Sequence, residues 1–182
     1  MGNSIVTNPT GAFRPSANFA TFADADGYDL TRDFDRCVET WQAGATINAG
    51  DAVYVSAIGT SAGVPPVIAP LPLDATLAQM QRYLGIALDS ATSGDKVDVV
   101  TRGPAMANLA ATETNIGSGS AGSAVTTMAF GTAVTATAAS GNTAGQLNGV
   151  TPTASTITGT ILGFSLSAEI GTNKFVVYVE HR

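Results

Sequence analysis

Three stretches of this chain have the residue types and spacing of known chemical sites. Gly59-Thr60-Ser61-Ala62-Gly63 has the G-x-S-x-G spacing of a nucleophile elbow. Such an elbow exposes a serine hydroxyl because a strand enters, turns sharply and leaves as a helix. Here Pro65 and Pro66 come next, so no helix leaves, and the only histidine is His181. The stretch reads as a Gly/Ser turn. Gly117-Ser118-Gly119-Ser120-Ala121-Gly122 has the G-x-G-x-x-G spacing of a dinucleotide loop. That loop needs an apolar strand before it, a helix after it and an acid about 20 residues on. Thr112–Asn115 is not apolar, the segment after Gly122 is β-like, and the next acid is Glu169. Asp24-Ala25-Asp26-Gly27 with Asp33 has calcium-loop residue types, but with Gly27 at the sixth position the first ligand would be Phe22, which carries no oxygen. It reads as a solvated acidic turn.

The remaining candidates are single residues. Zinc requires clustered Cys and His, and the chain has one of each, Cys37 and His181. A lone cysteine is usually a small buried hydrophobe. No spacing singles out a carboxylate pair for acid/base work. The expectation is no enzyme, no cofactor and no metal.

Composition narrows the function further. Only 12% of residues are charged, against about 25% in ordinary domains. Gly, Ala, Ser and Thr fill the space, while 45% of residues are hydrophobic, which separates the chain from disordered polyampholytes. So little charge points to surface covered by something other than water, such as sister subunits, or to the neutral Thr/Ser surface equally common in β-proteins. The net charge is −6 with eight basic residues scattered along the chain, so there is no basic stripe for phosphate. The same scarcity disfavours anionic lipid. No apolar run approaches the ~18 residues of a membrane span, and no signal-peptide pattern is visible. The expectation is a chain made and kept in a cytosol.

From the N-terminus, residues 1–22 have no usable period, with Pro9, Gly11 and Pro15 between Phe13, Phe19 and Phe22. An extended arm over residues 1–27 is expected, burying its aromatics on a neighbour, the alternative being that it folds back on its own barrel. Residues 28–103 and 104–182 form a first and a second β unit. Arg36–Gln42 alternates and carries Cys, Val, Thr and Trp, which suits a strand. Ala52–Ile58 is a strand with Val53 and Val55 on one face. Val64–Pro72 holds four prolines, excluding a helix and a central strand and leaving an extended edge. Asp74 is expected to cap a helical turn through Ala75–Gln81, with Leu77 and Met80 inward. Tyr83–Asp89 and Lys96–Arg102 form a hairpin. Ala124–Ala138 can make strands, and Ala139–Thr156 reads as a long loop. Thr160–Ser167 and Lys174–Glu180 form a second hairpin.

The two hairpins repeat one another. Leu84-Gly85-Ile86-Ala87-Leu88 returns as Leu162-Gly163-Phe164-Ser165-Leu166, and Lys96–Val100 returns from Lys174, both at a shift of 78 (162 − 84 and 174 − 96). Ala49-Gly50-Asp51-Ala52-Val53 is echoed by Ala121-Gly122-Ser123-Ala124-Val125 at a shift of 72 (121 − 49), which a six-residue insertion would reconcile. A duplicated supersecondary unit is therefore expected. The fold class is all-β, one or two small barrels or sandwiches built from a duplicated β-hairpin unit.

The Ala49–Gly103 pattern resembles the decoration, or cement, proteins on the heads of tailed bacteriophages. It rests on Gly50, Asp51, Val53, Gly85, Gly94, Val97, Val99 and Gly103. The resemblance implies a small β-barrel on the outer capsid surface of the virion that bridges major capsid protein subunits, as a homo-oligomer, without catalysis. Partner contact is expected at Phe13, Arg14, Phe19, Phe22 and Trp41. The longer, charge-poor second half departs from the pattern. The rival readings are a phage adhesin or carbohydrate-binding module, which usually shows an aromatic platform, and another structural head or tail component.

Overall fold

A computed structural model describes residues 36–57, 65–111, 116–117, 122–139, 141–152 and 161–180. The expected arm, including Phe13, Arg14, Phe19 and Phe22, lies outside the described residues, as do Asp24, Asp26 and Gly59–Gly63. The chain is all-β. Five strands come first, β1 (Cys37–Ala43), β2 (Ala52–Ala57), β3 (Val67–Pro70), β4 (Tyr83–Ala87) and β5 (Lys96–Asn108), with one helical turn, α1 (Leu77–Met80), between β3 and β4. Then come β6 (Ser123–Ala124), β7 (Ala133–Ala136), β8 (Leu147–Thr151), β9 (Gly163–Ser165) and β10 (Lys174–Val179).

The first five strands close on themselves. Their order is β1-β3-β2-β4-β5, and β5 returns to pair with β1. β1 runs antiparallel to β5 from Cys37↔Arg102 to Gln42↔Lys96 and parallel to β3 at Gln42↔Val67 and Ala43↔Ile68. Closure leaves no row of unpaired N–H and C=O groups around the ring. Its interior is filled by Ile47, Val53, Ile68, Ala87, Val97 and Val99. Val53 and Val55 share this inward face, as the alternation predicts.

β5 is long because it serves a second ring. At Gly103, with φ of 99°, the strand gives up β1 and takes β10, which it accompanies from Gly103↔Val179 to Asn108↔Lys174. β10 pairs β9, β9 pairs β7 and β7 pairs β8. A single parallel bridge, Leu109↔Leu147, brings β8 back to the end of β5. β6 lies outside this ring, on the far edge of β8.

The duplication is register-true. Ile86↔Val100 and Ala87↔Val99 of the first hairpin correspond to Phe164↔Tyr178 and Ser165↔Val177 of the second, each partner displaced by 78 (164 − 86, 178 − 100). β1 against β5 has its counterpart too. Gln42↔Lys96 matches Asn108↔Lys174, so the second half of β5 takes the part of β1.

Several expectations are corrected by the packing. The counterpart of Ala49–Val53 is not Ala121–Val125 but Phe130-Gly131-Thr132-Ala133-Val134, at a shift of 81 (130 − 49). Ala52↔Ile86 and Val53↔Gly85 match Ala133↔Phe164 and Val134↔Gly163. The turn bonds repeat as well. Gly50 N–H donates to Ala87 O and Gly131 N–H to Ser165 O, both at 2.8 Å. The second unit is thus three residues shorter (81 − 78), with no six-residue insertion. β3 is no edge strand, since it lies between β1 and β2. Pro65 and Pro66 precede it, and Pro70 and Pro72 fall at or after its end, so Val67, Ile68 and Ala69 keep their N–H groups. Thr76, not Asp74, caps α1: its hydroxyl accepts from Gln79 N–H, and the Gln79 side chain accepts from Thr76 N–H at 2.8 Å. Met80 is buried as expected, but Leu77 is exposed. Finally, the expected 139–156 loop contains β8.

Gly85 and Gly163 hold the repeat's tightest point. A Cβ on Gly85 would run into the backbone O of Val100, and one on Gly163 into that of Tyr178, its counterpart 78 residues on. Backbone cannot step aside as a side chain tip can. Gly85→Ala is expected to destabilise the protein by about 2–4 kcal/mol, a fall of roughly 4–16 °C in Tm. Gly94→Ala, whose Cβ meets nothing, bears only the strain of its positive φ and should cost about 1 kcal/mol. Thermal melts of the two variants side by side check the difference.

Candidate functional site

Two places stand out once the rings are built: a buried carboxylate where the units meet, and an uncharged aromatic face on the second unit.

The carboxylate is Asp51, 2% exposed. It comes after the Asn48–Gly50 turn, at the entry to β2, and each of its oxygens is occupied. Oδ2 accepts from Asn48 N–H at 2.8 Å and from Asn48 Nδ2 at 3.3 Å. Oδ1 accepts from Asn108 Nδ2 at 2.9 Å, and the same Nδ2 donates to Ala49 O at 3.1 Å. Backbone closes the knot. Asn108 N–H donates to Gly50 O, Ala52 N–H to Gly145 O, and Gly145 N–H to Leu71 O, at 2.7–2.9 Å. Gly145 has φ of 87° and lies flat over the carboxylate, where any Cβ would strike Asp51 Cγ and Cβ. Burial pushes the Asp51 carboxyl above its ordinary 3.8, opposed by the hydrogen bonds from Asn48 and Asn108. A carboxylate walled in by amide donors is a structural tie. Among the described residues no group of three or more His, Cys, Asp or Glu is placed to hold a metal ion, and no helix is long and apolar enough to cross a membrane.

The aromatic face is built by pairing. Directly opposed residues in antiparallel strands point to the same side. Tyr178↔Phe164, Phe164↔Ala133 and Ala133↔Val150 therefore form one row across β10, β9, β7 and β8. Ile161 is buried beside Ala133 and Val150, with Ile116 packed against them. Phe164 is 40% exposed. Phe130, in the turn entering β7, is 78% exposed, and its neighbour Gly131 bonds to Ser165 next to Phe164. The row carries no charge.

The matching row in the first unit is Val100, Ile86, Ala52 and Leu71, joined by Ile86↔Val100, Ala52↔Ile86 and Leu71 N–H to Ala52 O. None of these exceeds 2% exposure. They belong to one core with Leu109, Val134, Leu147, Phe175 and Val177 of the second ring. The same row is sealed in the core of the first unit, whereas in the second its Ala133–Val150 end is buried beside Ile161 and its Phe164 is 40% exposed.

Of the partner residues expected from sequence, only Trp41 is described. It is half-buried against the first ring's core, and its Nε1 donates to Glu39 Oε2 at 3.1 Å. On the same strand Val38 is 42% exposed, and Cys37 is exposed, contrary to the buried state usual for a lone cysteine. Trp41 and Phe164 are not brought together by any pairing: they sit in different rings. Sequence reading missed Phe130 and Phe164. The signal available for Phe164 was its alignment with Ile86 in the repeat, an aromatic where the first copy has an aliphatic. Gly117 is described, its N–H donating to Ala136 O at 3.0 Å, and Gly122 leads into β6 rather than a helix, as its β-like context predicts.

No protein-family model matches the chain, and no curated protein matches it. Among solved structures it is similar to the crystal structure of the head fiber gp8.5 N base in bacteriophage phi29. The two are 14% identical, with a TM-score of 0.43, over 81% of this chain and 96% of that one. The reading of this chain therefore rests on its own residues.

Because the folded state holds the Asp51 proton more tightly than the unfolded chain does, its titration favours folding most below pH 3.8. That contribution is lost as pH rises through the raised folded value. Asp51→Asn turns one acceptor into a donor facing other donors, at an expected cost of about 1–3 kcal/mol. The deficit of the variant should be largest in acid and shrink as pH rises towards neutral. Urea unfolding of both proteins across that range measures it.

Proposed function

We propose that this chain is a structural component of a bacteriophage head, which sits on the outer capsid surface and bridges major capsid protein subunits. The observation that supports the reading is the first ring. The resemblance carried by Gly50, Asp51, Val53, Gly85, Gly94, Val97, Val99 and Gly103 implies a small β-barrel, and those residues lie on β2, β4, β5 and their turns in a closed five-stranded ring. The physical logic of such a role is passive. A clip that binds only the assembled shell stabilises it by mass action, and many weak contacts on a lattice gain from effective concentration.

In this reading the arm supplies the grip, with Phe13, Arg14, Phe19 and Phe22 docking on neighbouring subunits and Trp41, in the second half of β1, adding to it. Extended segments bind exposed sheet edges through main-chain bonds. No cofactor, metal or nucleic acid takes part, and the chain is made in the host cytoplasm before it joins the virion. A carbohydrate-binding role draws on the exposure of Phe130 and Phe164. It is the weaker reading, because a sugar site needs several converging polar groups beside its aromatic platform, and this row offers one hydroxyl, that of Tyr178.

Purified protein is expected to co-sediment stoichiometrically with undecorated heads, and deletion of residues 1–22 to abolish that binding while the far-UV spectrum of the rings is kept. Full binding after the deletion would remove the arm from the proposal. Strong glycan-array hits that survive the deletion would put the adhesin in its place.

A further inference from the structure

We propose that the first half of β1 is where an extended segment of the major capsid protein adds as a strand. The inference rests on the capsid reading and gives it a second contact beside the arm. The ring closes where β1 meets β3, at Gln42 and Ala43. Before that point β1 runs past the closure, held on one side only, by β5.

Successive residues of an antiparallel strand turn their main-chain groups alternately towards the partner and away from it. Ala43 N–H donates to Asp95 O, and Leu88 N–H to Asp98 O. On β5, therefore, Asp98 and Val100 serve β4, while Val97 and Val99 serve β1. Trp41 and Glu39, opposite Val97 and Val99, bond to β5, and Thr40 and Val38 turn their N–H and C=O groups outward. Among the described residues no strand meets them there. Cys37, Val38, Glu39 and Thr40 are all exposed. β3 cannot go on to cover them. Gly44 N–H donates to Ile68 O, but the parallel ladder would next reach Thr40 O through the N–H of residue 66, which is proline.

The unmet groups select the form of the occupant. A row of main-chain donors and acceptors is met by another extended main chain. Charge selects its kind. Glu39 is the one charged side chain between Cys37 and Gln42, and Asp98 stands beside Thr40, its Oδ1 accepting from the Thr40 hydroxyl at 2.6 Å. A second copy, itself at −6, brings like charge to this edge, whereas a segment with a neutral or basic residue opposite Glu39 does not. Place selects its source. Cys37 is where the arm enters the first ring, so a subunit gripped by the arm is held close to this edge at high effective concentration.

The test uses Thr40→Pro in the full chain, which removes an outward N–H, with Thr40→Val as the control that loses the same hydroxyl. Proline is tolerated at edge positions whose N–H faces outward. The two variants are expected to melt alike, and Thr40→Pro to bind undecorated heads about tenfold more weakly than Thr40→Val. In the free wild-type chain the amide protons of Val38 and Thr40 are expected to exchange faster than those of Glu39 and Trp41. Equal head binding by the two variants overturns the inference and leaves the capsid reading standing. Slow exchange at Thr40, or a much lower Tm for Thr40→Pro than for Thr40→Val, overturns it by showing that this chain covers its own edge. A smaller sedimenting mass for free Thr40→Pro than for Thr40→Val overturns it in favour of a second copy. Failure of the wild-type protein to bind heads overturns the capsid reading and the named occupant with it.

Discussion

One strand holds hydrogen bonds with two rings in turn, and the rest of the fold is arranged to let it. From Lys96 to Arg102, β5 pairs with β1, and from Gly103 to Asn108 it pairs with β10. Change of partner within one strand needs a point where the backbone can turn without losing its ladder. Gly103 provides it with a left-handed φ, and Pro104, which has no N–H to satisfy, comes directly after it. The two units are therefore continuous through main chain and share an interior. The outward row of the first ring is part of the same core as the inward residues of the second. Neither ring is large, and burying one against the other supplies the apolar area that a short five-stranded ring lacks.

How much of this could be read from the residues varies with the kind of signal. The hairpins were legible because alternation and a Leu-Gly-apolar-small-Leu run survive in both copies, and the glycine in each is fixed by a backbone oxygen. The match at 121–125 misled because it counts identities among small residues. Phe130–Val134 keeps only Gly131, Ala133 and Val134 in common with Ala49–Val53, yet reproduces its turn bonds. β8 was illegible for a related reason. Leu147-Asn148-Gly149-Val150-Thr151 carries two residues that strands usually avoid. Both are explained by packing. Val125 and Thr132 side chains press on Gly149 where a Cβ would stand. The Asn148 side chain is fully buried and its Oδ1 accepts from Gly149 N–H at 2.7 Å. Such reasons belong to tertiary contact and leave no mark on local pattern.

The prolines of 64–72 teach the opposite lesson. Counting them argued for an edge, but what decides is where each falls relative to the ladder. Proline costs a strand its donor only at its own position, and the central N–H groups of β3 are untouched. The exposed Phe164 had a faint signal, an aromatic standing for an aliphatic in the repeat, which acquires meaning only when the first row is seen to be core.

Asp51 and its counterpart Thr132 show how the asymmetry between units reaches single side chains. In each turn the side chain accepts from the N–H three residues earlier, Asn48 to Asp51 Oδ2 at 2.8 Å and Ala129 to Thr132 Oγ1 at 3.3 Å. A hydroxyl suffices for that local task at the outer turn. In the inner turn the same position also faces Asn108 across the junction and is roofed by Gly145, so a second acceptor is required where water cannot serve. A carboxylate provides two oxygens at the cost of desolvation, offset by three amide donors. The costlier side chain therefore stands only where the second unit has sealed the first, and its fourth contact, the backbone of Gly145, belongs to the turn that seals it.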